Sequence, residues 1–341
     1  KQQKGAYCFT MLRKHSSFSL PLNVKVARAF MSIGSDVCRL NNTIKRFSTD
    51  SFVWRVPPSL HKPIMGVTTV DVIVDSHKTL WFRLFSPSAD IKKSNDNTPV
   101  IFFFHGGGFV FMSAANRYYD NFCRLLVQKL DAVVISVNYR LAPDHRWPCQ
   151  YEDCFDVIRY VDENSILLSP GNPKYSFLAG DSAGGNIAHH VALKASEHEF
   201  SKVKLIGVVS IQPFFGGEER TASEVELTMD AIVRTYRTDW MWKCFLPEGS
   251  NRNHPACNVL GPNSAGISAV RFPPTIVFIG ELDPLKDRQK SYCDAMKVAG
   301  KEVSQVEYHS IHCFYLFPEL PESSQLMRDV KIFVEKQISS Y

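Results

Sequence analysis

Short, unbroken apolar runs alternate with amphipathic helical patterns through most of this 341-residue chain, and this alternation limits the possible folds more than any other feature. The run VIFFF at 100–104 has the uninterrupted apolar character of a strand covered on both faces. Further strands are predicted at 132–139, 175–180, 204–213, 275–283 and 302–310. Strands that alternate with helices form a mostly parallel sheet with helices on both faces, so we predict the α/β class.

A hairpin and a helix are predicted before this alternation begins. The segment 67–85 predicts the hairpin, because valines alternate in VTTVDVIVD and DSHK provides a turn. The segment 22–40 predicts an amphipathic helix, whose apolar stripe consists of Val26, Phe30, Ile33, Val37 and Leu40. An amphipathic helix must bury its stripe. We therefore expect this helix to cover the carboxyl edge of the sheet as a lid, with Phe30 and Ile33 facing a pocket or the insertion described next.

The alternation lapses between 213 and 270, where the sequence is rich in aromatic residues and turns. We interpret this stretch as a cap insertion above the sheet. The predicted organisation is therefore an N-terminal extension with the lid helix at 1–65, followed by a core at 66–341 that carries the cap.

Composition and charge limit which classes of partner this protein can bind. Apolar residues make up 45% and charged residues 21%, which is typical of a globular protein, and no apolar run is long enough to span a bilayer. Residues 1–50 carry a charge of +7 and the remainder −2, the difference from the total of +5. Because no run of five basic residues occurs, a solvated helix face is preferred over nucleic-acid or membrane binding.

The cysteines and the N-terminal region bear on the compartment. Nine cysteines are present, an odd number, without a C-x-x-C motif or the spacing of a zinc site. They predict reduced thiols in a cytoplasmic protein. The stretch MLRKHSSFSL at 11–20 leaves a weak transit peptide open as an alternative.

Ser182 lies in a G-x-S-x-G motif at 180–184, directly after a predicted strand and directly before a predicted helix. A sharp turn in this context lifts the serine Oγ above the carboxyl edge of the sheet, as in a nucleophile elbow. A plain tight turn would also favour these small residues, so the motif needs partners elsewhere in the chain. A serine becomes a nucleophile only with a base and an acid that orients the base.

Asp283 and His312 follow the ends of two later predicted strands, in the order serine, acid, histidine. Asp283 could instead cap the next helix, and His312 could be an ordinary loop histidine. The rival candidates are Glu281, Asp287 and His309. We prefer Asp283 because it is nearest the predicted strand end, and His312 because it lies further into its loop and can swing back to the serine.

A glycine-rich loop provides the fourth element of the site. His105 is followed by Gly106, Gly107 and Gly108, directly after the strand at 100–104. Their backbone N–H groups, with that of Ala183, can form an oxyanion hole. A phosphate-binding loop is the alternative, but neither G-x-G-x-x-G nor G-x-x-x-x-G-K-[ST] occurs.

With these residues identified, the chain resembles the hormone-sensitive-lipase-like branch of the α/β-hydrolases, and more narrowly the plant class I carboxylesterases, which are relatives of the gibberellin receptors. The resemblance is carried by FFHGGGF, VNYRLAPDHRWP, AGDSAGGNIAHH, PFFGGEERT, FLPEGSNRNHPACN, GELDPLKD and HCFYLFPE. It implies an α/β-hydrolase fold in which residues 22–60 fold back as part of a lid. It also implies a triad of Ser182, Asp283 and His312, with an oxyanion hole at Gly106–Gly108 and Ala183.

The resemblance further implies a carboxylic-ester hydrolase that acts on a small-molecule ester, with no metal or organic cofactor and no nucleic-acid partner. The same family contains receptors that lose the histidine and read HGGSF at the glycines, and enzymes that catalyse dehydration or cyclisation. Here His312 is present and Gly108 is not serine, which favours the esterase. A receptor and a non-hydrolytic lyase or cyclase stay open as alternatives.

Overall fold

The computed structural model describes residues 19–40, 54–91, 96–228, 230, 232–264 and 266–341. Within these ranges, eight strands form one sheet in the order β1-β2-β4-β3-β5-β6-β7-β8. They are β1 (Val67–Asp75), β2 (Leu80–Pro87), β3 (Val100–Phe104), β4 (Val133–Asn138), β5 (Ser176–Asp181), β6 (Leu205–Ile211), β7 (Thr275–Gly280) and β8 (Val303–Tyr308). β2 pairs antiparallel with β1 and β4, and the other neighbours are parallel.

Helices cover both faces of this sheet. The α-helices in the described ranges are α1 (Leu22–Leu40), α2 (Arg117–Leu130), α3 (Cys149–Glu163), α4 (Ala183–Ser196), α5 (Ala222–Glu226), α6 (Thr235–Phe245), α7 (Lys286–Val298) and α8 (Pro321–Ser340). One core lies under α3, α4 and α7, and the other under α2 and α8. The predicted mostly parallel sheet with helices on both faces is confirmed. None of these helices is long and apolar enough to cross a membrane.

The unbroken apolar run of β3 follows from its central position. Phe102 and Phe104 point into the core under α3 and α4, whereas Ile101 and Phe103 point into the core under α2. Successive side chains of a strand face opposite sides of the sheet. A strand covered by helices on both sides therefore has no polar position, which is why the run could be recognised in the sequence.

The carboxyl ends of the parallel strands bring the predicted site residues to one edge of the sheet. His105 follows β3, Ser182 follows β5, Asp283 lies three residues beyond β7, and His312 lies four residues beyond β8. This edge is where α/β sheets place their ligands and reactive groups.

Helix α1 has the predicted bounds, but the predicted orientation of its apolar stripe is wrong. The exposed side chains of the stripe are Val26, Phe30, Ile33 and Val37, at 46%, 63%, 59% and 46%. The opposite face, with Val24, Arg28 and Ser35, is buried. Phe30 and Ile33 are therefore mostly exposed to solvent, whereas we expected them to be buried against a pocket or the cap.

Charged contacts explain this orientation. The Arg28 guanidinium lies 2.5 Å from an Asp230 carboxylate oxygen, and Asp36 lies 2.7 Å from the Arg237 guanidinium. Arg237 also donates a hydrogen bond to Ser32 Oγ at 3.0 Å. A charged group can be buried only if it is paired, so these partners select the polar face of α1 as the inner one.

Candidate active site

Ser182 occupies a strained turn between β5 and α4. Its backbone has φ 50° and ψ −117°, a conformation that non-glycine residues rarely adopt. The Ser182 N–H donates to the Ile211 carbonyl at 2.9 Å, and the Phe214 N–H donates to the Ser182 carbonyl at 2.8 Å. A Cβ at Gly184 would collide with the carbonyl oxygen of Phe104. The glycine of the motif is therefore required by the packing of the turn against β3.

The structure brings Ser182, His312 and Asp283 together as a hydrogen-bonded chain. His312 Nε2 lies 3.1 Å from Ser182 Oγ, and His312 Nδ1 lies 2.7 Å from Asp283 Oδ2. The three residues are 8%, 1% and 0% exposed. Burial alone would lower the pKa of His312, but the adjacent Asp283 carboxylate raises this pKa well above its usual range. An imidazole held in this way can accept a proton from the serine.

Asp283 is fixed by two glutamines that the sequence analysis did not single out. Gln212 Nε2 and Gln289 Nε2 each donate to Asp283 Oδ2 at 3.1 Å. Asp283 Oδ1 accepts the Leu285 N–H at 2.9 Å, but the N-cap of α7 is Leu285 and no side chain caps this helix, so the capping role considered as an alternative is not observed. The aspartate is therefore oriented from several sides.

Gln212 also holds the loop that carries the histidine. Its Nε2 donates to the Ile311 carbonyl at 3.1 Å, and its Oε1 accepts the Cys313 N–H at 2.8 Å. Gln212 directly follows β6 at the same edge of the sheet, and this position is the signal that could have identified it. One side chain thus connects Asp283 with the residues on both sides of His312.

The rival candidates have other partners. Glu281 Oε2 lies 2.7 Å from His309 Nδ1, and both side chains are nearly half exposed. Asp287 Oδ2 accepts the Ser223 N–H at 2.7 Å. The geometry therefore favours Asp283 and His312 over Glu281, Asp287 and His309.

Three of the four predicted oxyanion-hole residues have N–H groups available for a ligand. In the part of the chain that the structure describes, the N–H groups of Gly107, Gly108 and Ala183 have no acceptor within the protein. Gly107 and Gly108 have φ values of 102° and 62°, which glycine adopts without strain. The Gly106 N–H instead donates to Tyr119 Oη at 2.9 Å, so Gly106 is left out of the oxyanion hole that we propose.

Tyr119 links the glycine loop to the residue before the serine. Its hydroxyl donates to Asp181 Oδ2 at 3.1 Å while it accepts the Gly106 N–H. Asp181 is 1% exposed, and burial raises its pKa to about 6. No local pattern in the sequence indicates this bond, because Tyr119 fits the apolar face of α2 as a core residue.

Replacing Asp181 with asparagine should change the pH dependence of stability. Because the pKa of Asp181 is about 6 in the folded state and 3.8 for an unperturbed aspartate, the native protein loses stability as pH rises through this window. The asparagine side chain keeps an acceptor for Tyr119 but cannot ionise. The free energy of unfolding of Asp181→Asn, relative to wild type, should therefore increase by about 2–3 kcal/mol between about pH 4 and 7, as measured by urea denaturation.

Asp162→Asn is the matched control with the opposite sign. Burial opposes the ionised form of Asp162, but the N–H groups of Ser201, Lys202 and Val203 bind its carboxylate and hold its pKa below the usual value. Its folded-state pKa is depressed, so this variant should lose stability relative to wild type as pH rises. A pH-independent difference for Asp181→Asn would contradict the prediction.

Comparison with known proteins identifies the family. Residues 101–316 match the family described as alpha/beta hydrolase fold, and residues 57–143 match the carboxylesterase family. The chain belongs to the α/β-hydrolases. This α/β-hydrolase is 38% identical over 332 residues to the gibberellin receptor GID1C of Arabidopsis thaliana, covering 93% of this chain and 95% of the receptor.

Carboxylesterases are also among its relatives. The α/β-hydrolase is 38% identical over 254 residues to the probable carboxylesterase 6 of Arabidopsis thaliana, covering 73% of this chain and 74% of that protein. It is 32% identical over 286 residues to the 3-O-acetylpapaveroxine carboxylesterase CXE2 of Papaver somniferum, covering 78% and 90%. The family thus includes both receptors and enzymes, so the choice between these two functions depends on the geometry of the site.

Solved structures support the same fold. An esterase of Pyrobaculum calidifontis superposes with a TM-score of 0.69 at 25% identity and covers 94% of each chain. A fungal esterase of Rhizomucor miehei superposes with a TM-score of 0.73 at 23% identity, covering 95% of this chain and 100% of that one. The second likeness bears on the fold of the α/β-hydrolase and not on its activity.

Proposed function

We propose that this α/β-hydrolase is a carboxylesterase that cleaves small-molecule carboxylic esters through an acyl-enzyme on Ser182. One observation carries the proposal: His312 Nε2 lies 3.1 Å from Ser182 Oγ, while His312 Nδ1 lies 2.7 Å from Asp283. A nucleophile, a base and an orienting acid in hydrogen-bond contact are the arrangement that acyl transfer requires. The carboxylesterases among its relatives support the same class of reaction.

The proposed mechanism assigns a role to each group. Ser182 Oγ attacks the ester carbonyl carbon and gives its proton to His312 Nε2. The negative charge that develops on the carbonyl oxygen is stabilised by the N–H groups of Gly107, Gly108 and Ala183. His312 then protonates the oxygen of the departing alcohol. The acyl group remains bound to Ser182 Oγ. In the second half-reaction His312 takes a proton from water, whose oxygen attacks the acyl carbon. The bond from that carbon to Ser182 Oγ then breaks, His312 returns the proton to Oγ, and the acid leaves. Asp283 stabilises the imidazolium in each half-reaction.

A receptor is the second candidate, because a gibberellin receptor is similar over 93% of this chain. A protein that only binds its ligand needs no general base. The His312 imidazole is buried and in hydrogen-bond contact with both Ser182 and Asp283, and this arrangement favours the enzyme. The same groups could also serve a lyase or cyclase that ends without net hydrolysis, and product identification separates this outcome from ester hydrolysis.

A serine at Gly108, as the receptor pattern has, is expected to impair the site. A Cβ at Gly108 would collide with Met241 Sδ of α6, and its φ of 62° strains any side chain. Gly108→Ser should lower kcat/KM for p-nitrophenyl acetate by about 10- to 100-fold, because a displaced oxyanion donor loses its geometry. Adding Met241→Ala should recover part of the lost kcat/KM, because it opens space beside the new serine side chain. Full activity of Gly108→Ser, or no recovery in the double variant, would argue against this account.

The direct test of the proposed function is turnover with trapping of the intermediate. We expect the full chain to release p-nitrophenol from acetate and butyrate esters, and intact-protein mass spectrometry to detect an acyl adduct on Ser182. Isothermal titration with a gibberellin tests the receptor. Tight binding without hydrolysis of any ester in a broad panel would overturn the esterase.

A further inference from the structure

Arg28 connects the N-terminal helix α1 to the backbone of His312. One guanidinium nitrogen donates to the His312 carbonyl at 2.8 Å, and another lies 2.5 Å from Asp230 Oδ2. Arg28 is 2% exposed, and its partners lie 202 and 284 residues away in the sequence. A single buried side chain thus joins α1, the cap and the loop of the catalytic histidine.

Asp230, the partner of Arg28 in the cap, is itself held in place by backbone hydrogen bonds. Its Oδ1 accepts the N–H groups of Ile232 and Val233, each at 2.7 Å, which leaves Oδ2 for Arg28. An arginine fork holds its partners in a fixed geometry, because the guanidinium is planar and its donors cannot rotate separately. The hydrogen bond to the His312 carbonyl therefore exists only while α1 is docked.

We propose that Arg28 is a positioning residue that couples the docking of α1 to the placement of the His312 imidazole. The inference rests on the proposed role of His312 as the general base. With α1 docked, the guanidinium fixes the backbone from which the imidazole reaches Ser182. With α1 undocked, the carbonyl loses this donor and the imidazole is held less well. Chemistry is therefore fastest while α1 is docked.

A second ion pair between the same elements provides a matched control. Asp36 of α1 binds Arg237 of α6 at 2.7 Å, and its other partners are Tyr236 and Arg39. Asp36→Asn removes the charge of this pair, while Arg28 still bridges α1 to Asp230 and to the His312 carbonyl. Comparing it with Arg28→Met, which keeps an unbranched apolar side chain, separates the loss of an α1 ion pair from the coupling to His312.

The experiment compares both variants, as full chains, on a small and a bulky ester. Arg28→Met should lower kcat for p-nitrophenyl acetate by about 10- to 100-fold, since small misplacement of a catalytic group reduces turnover this much. Asp36→Asn should change kcat for both esters by less than about twofold, because the Arg28 contact to the His312 carbonyl stays in place. Equal effects of the two variants on kcat would overturn the coupling.

A spectroscopic readout makes the test independent of turnover and of the proposed function. The Nδ1 proton between His312 and Asp283 gives a downfield proton NMR signal whose position reports the geometry of that bond. Arg28→Met should shift or broaden this signal and Asp36→Asn should not. If Arg28→Met fails to fold, Asp230→Asn replaces it, because the asparagine can still accept the two cap N–H groups. An unchanged signal overturns the coupling, whereas ester turnover is what decides the proposed function.

Discussion

Replacing Ser182 with alanine should lower kcat for p-nitrophenyl acetate by about 10⁶-fold, the loss typical of a removed serine nucleophile. The change deletes the oxygen that lies 3.1 Å from His312 Nε2, so no acyl-enzyme can form on this residue. The remaining oxyanion donors still stabilise attack by water, which leaves a small residual rate. Steady-state release of p-nitrophenol and the absence of the acyl adduct in intact-protein mass spectra measure the effect.

Ser310→Ala is the matched control for this prediction. Ser310 is buried, lies two residues before His312, and its Oγ has no hydrogen-bond partner among the described residues. The same chemical change at this position should leave kcat within about twofold of wild type, because no bond is lost. Near-wild-type activity of Ser182→Ala would show that the nucleophile has been assigned wrongly.

His312→Ala should lower kcat by a similar factor of about 10⁶, because removing the base of a triad costs nearly as much as removing the nucleophile. The buried imidazole is the group that contacts both Ser182 and Asp283. The variant should still fold cooperatively in thermal melts, which distinguishes loss of the base from loss of the structure.

His309→Ala tests the neighbouring histidine with the same substitution. The His309 side chain is 45% exposed and binds Glu281 on the surface. Exposed ion pairs contribute little to stability, so its removal should change kcat by less than about threefold. If His309→Ala abolished turnover and His312→Ala did not, the base would lie three residues earlier than proposed.

The strands and the order of the site residues could be predicted because they depend on local patterns. VIFFF is apolar throughout because β3 is covered on both faces, and Ser182 lies where an apolar strand meets a helical pattern. Once parallel strands are predicted, their carboxyl ends must meet at one edge. The proximity of Asp283 and His312 to the serine follows from that topology and needs no knowledge of side-chain contacts.

Contacts between distant segments could not be predicted in this way. The Gly106 N–H is taken by Tyr119, and Gln212 binds the Cys313 N–H across 101 positions. Tyr119 does not stand out in a local pattern, since a tyrosine fits a core helix. The position of Gln212 after β6 places it at the edge of the sheet but does not give its partners. Periodicity likewise located the stripe of α1 but not the charges on the cap that turn Arg28 inward.

The charged inner face of α1 determines how its release would respond to temperature and salt. The docked face buries Val24 beside Arg28, while the larger apolar side chains of the helix already contact water. Undocking would therefore expose little additional apolar surface, and the accompanying heat-capacity change would be small. The balance between docked and undocked states would vary weakly with temperature. Added electrolyte would shift it towards undocking, because ions screen the attraction between α1 and the cap once water enters between them.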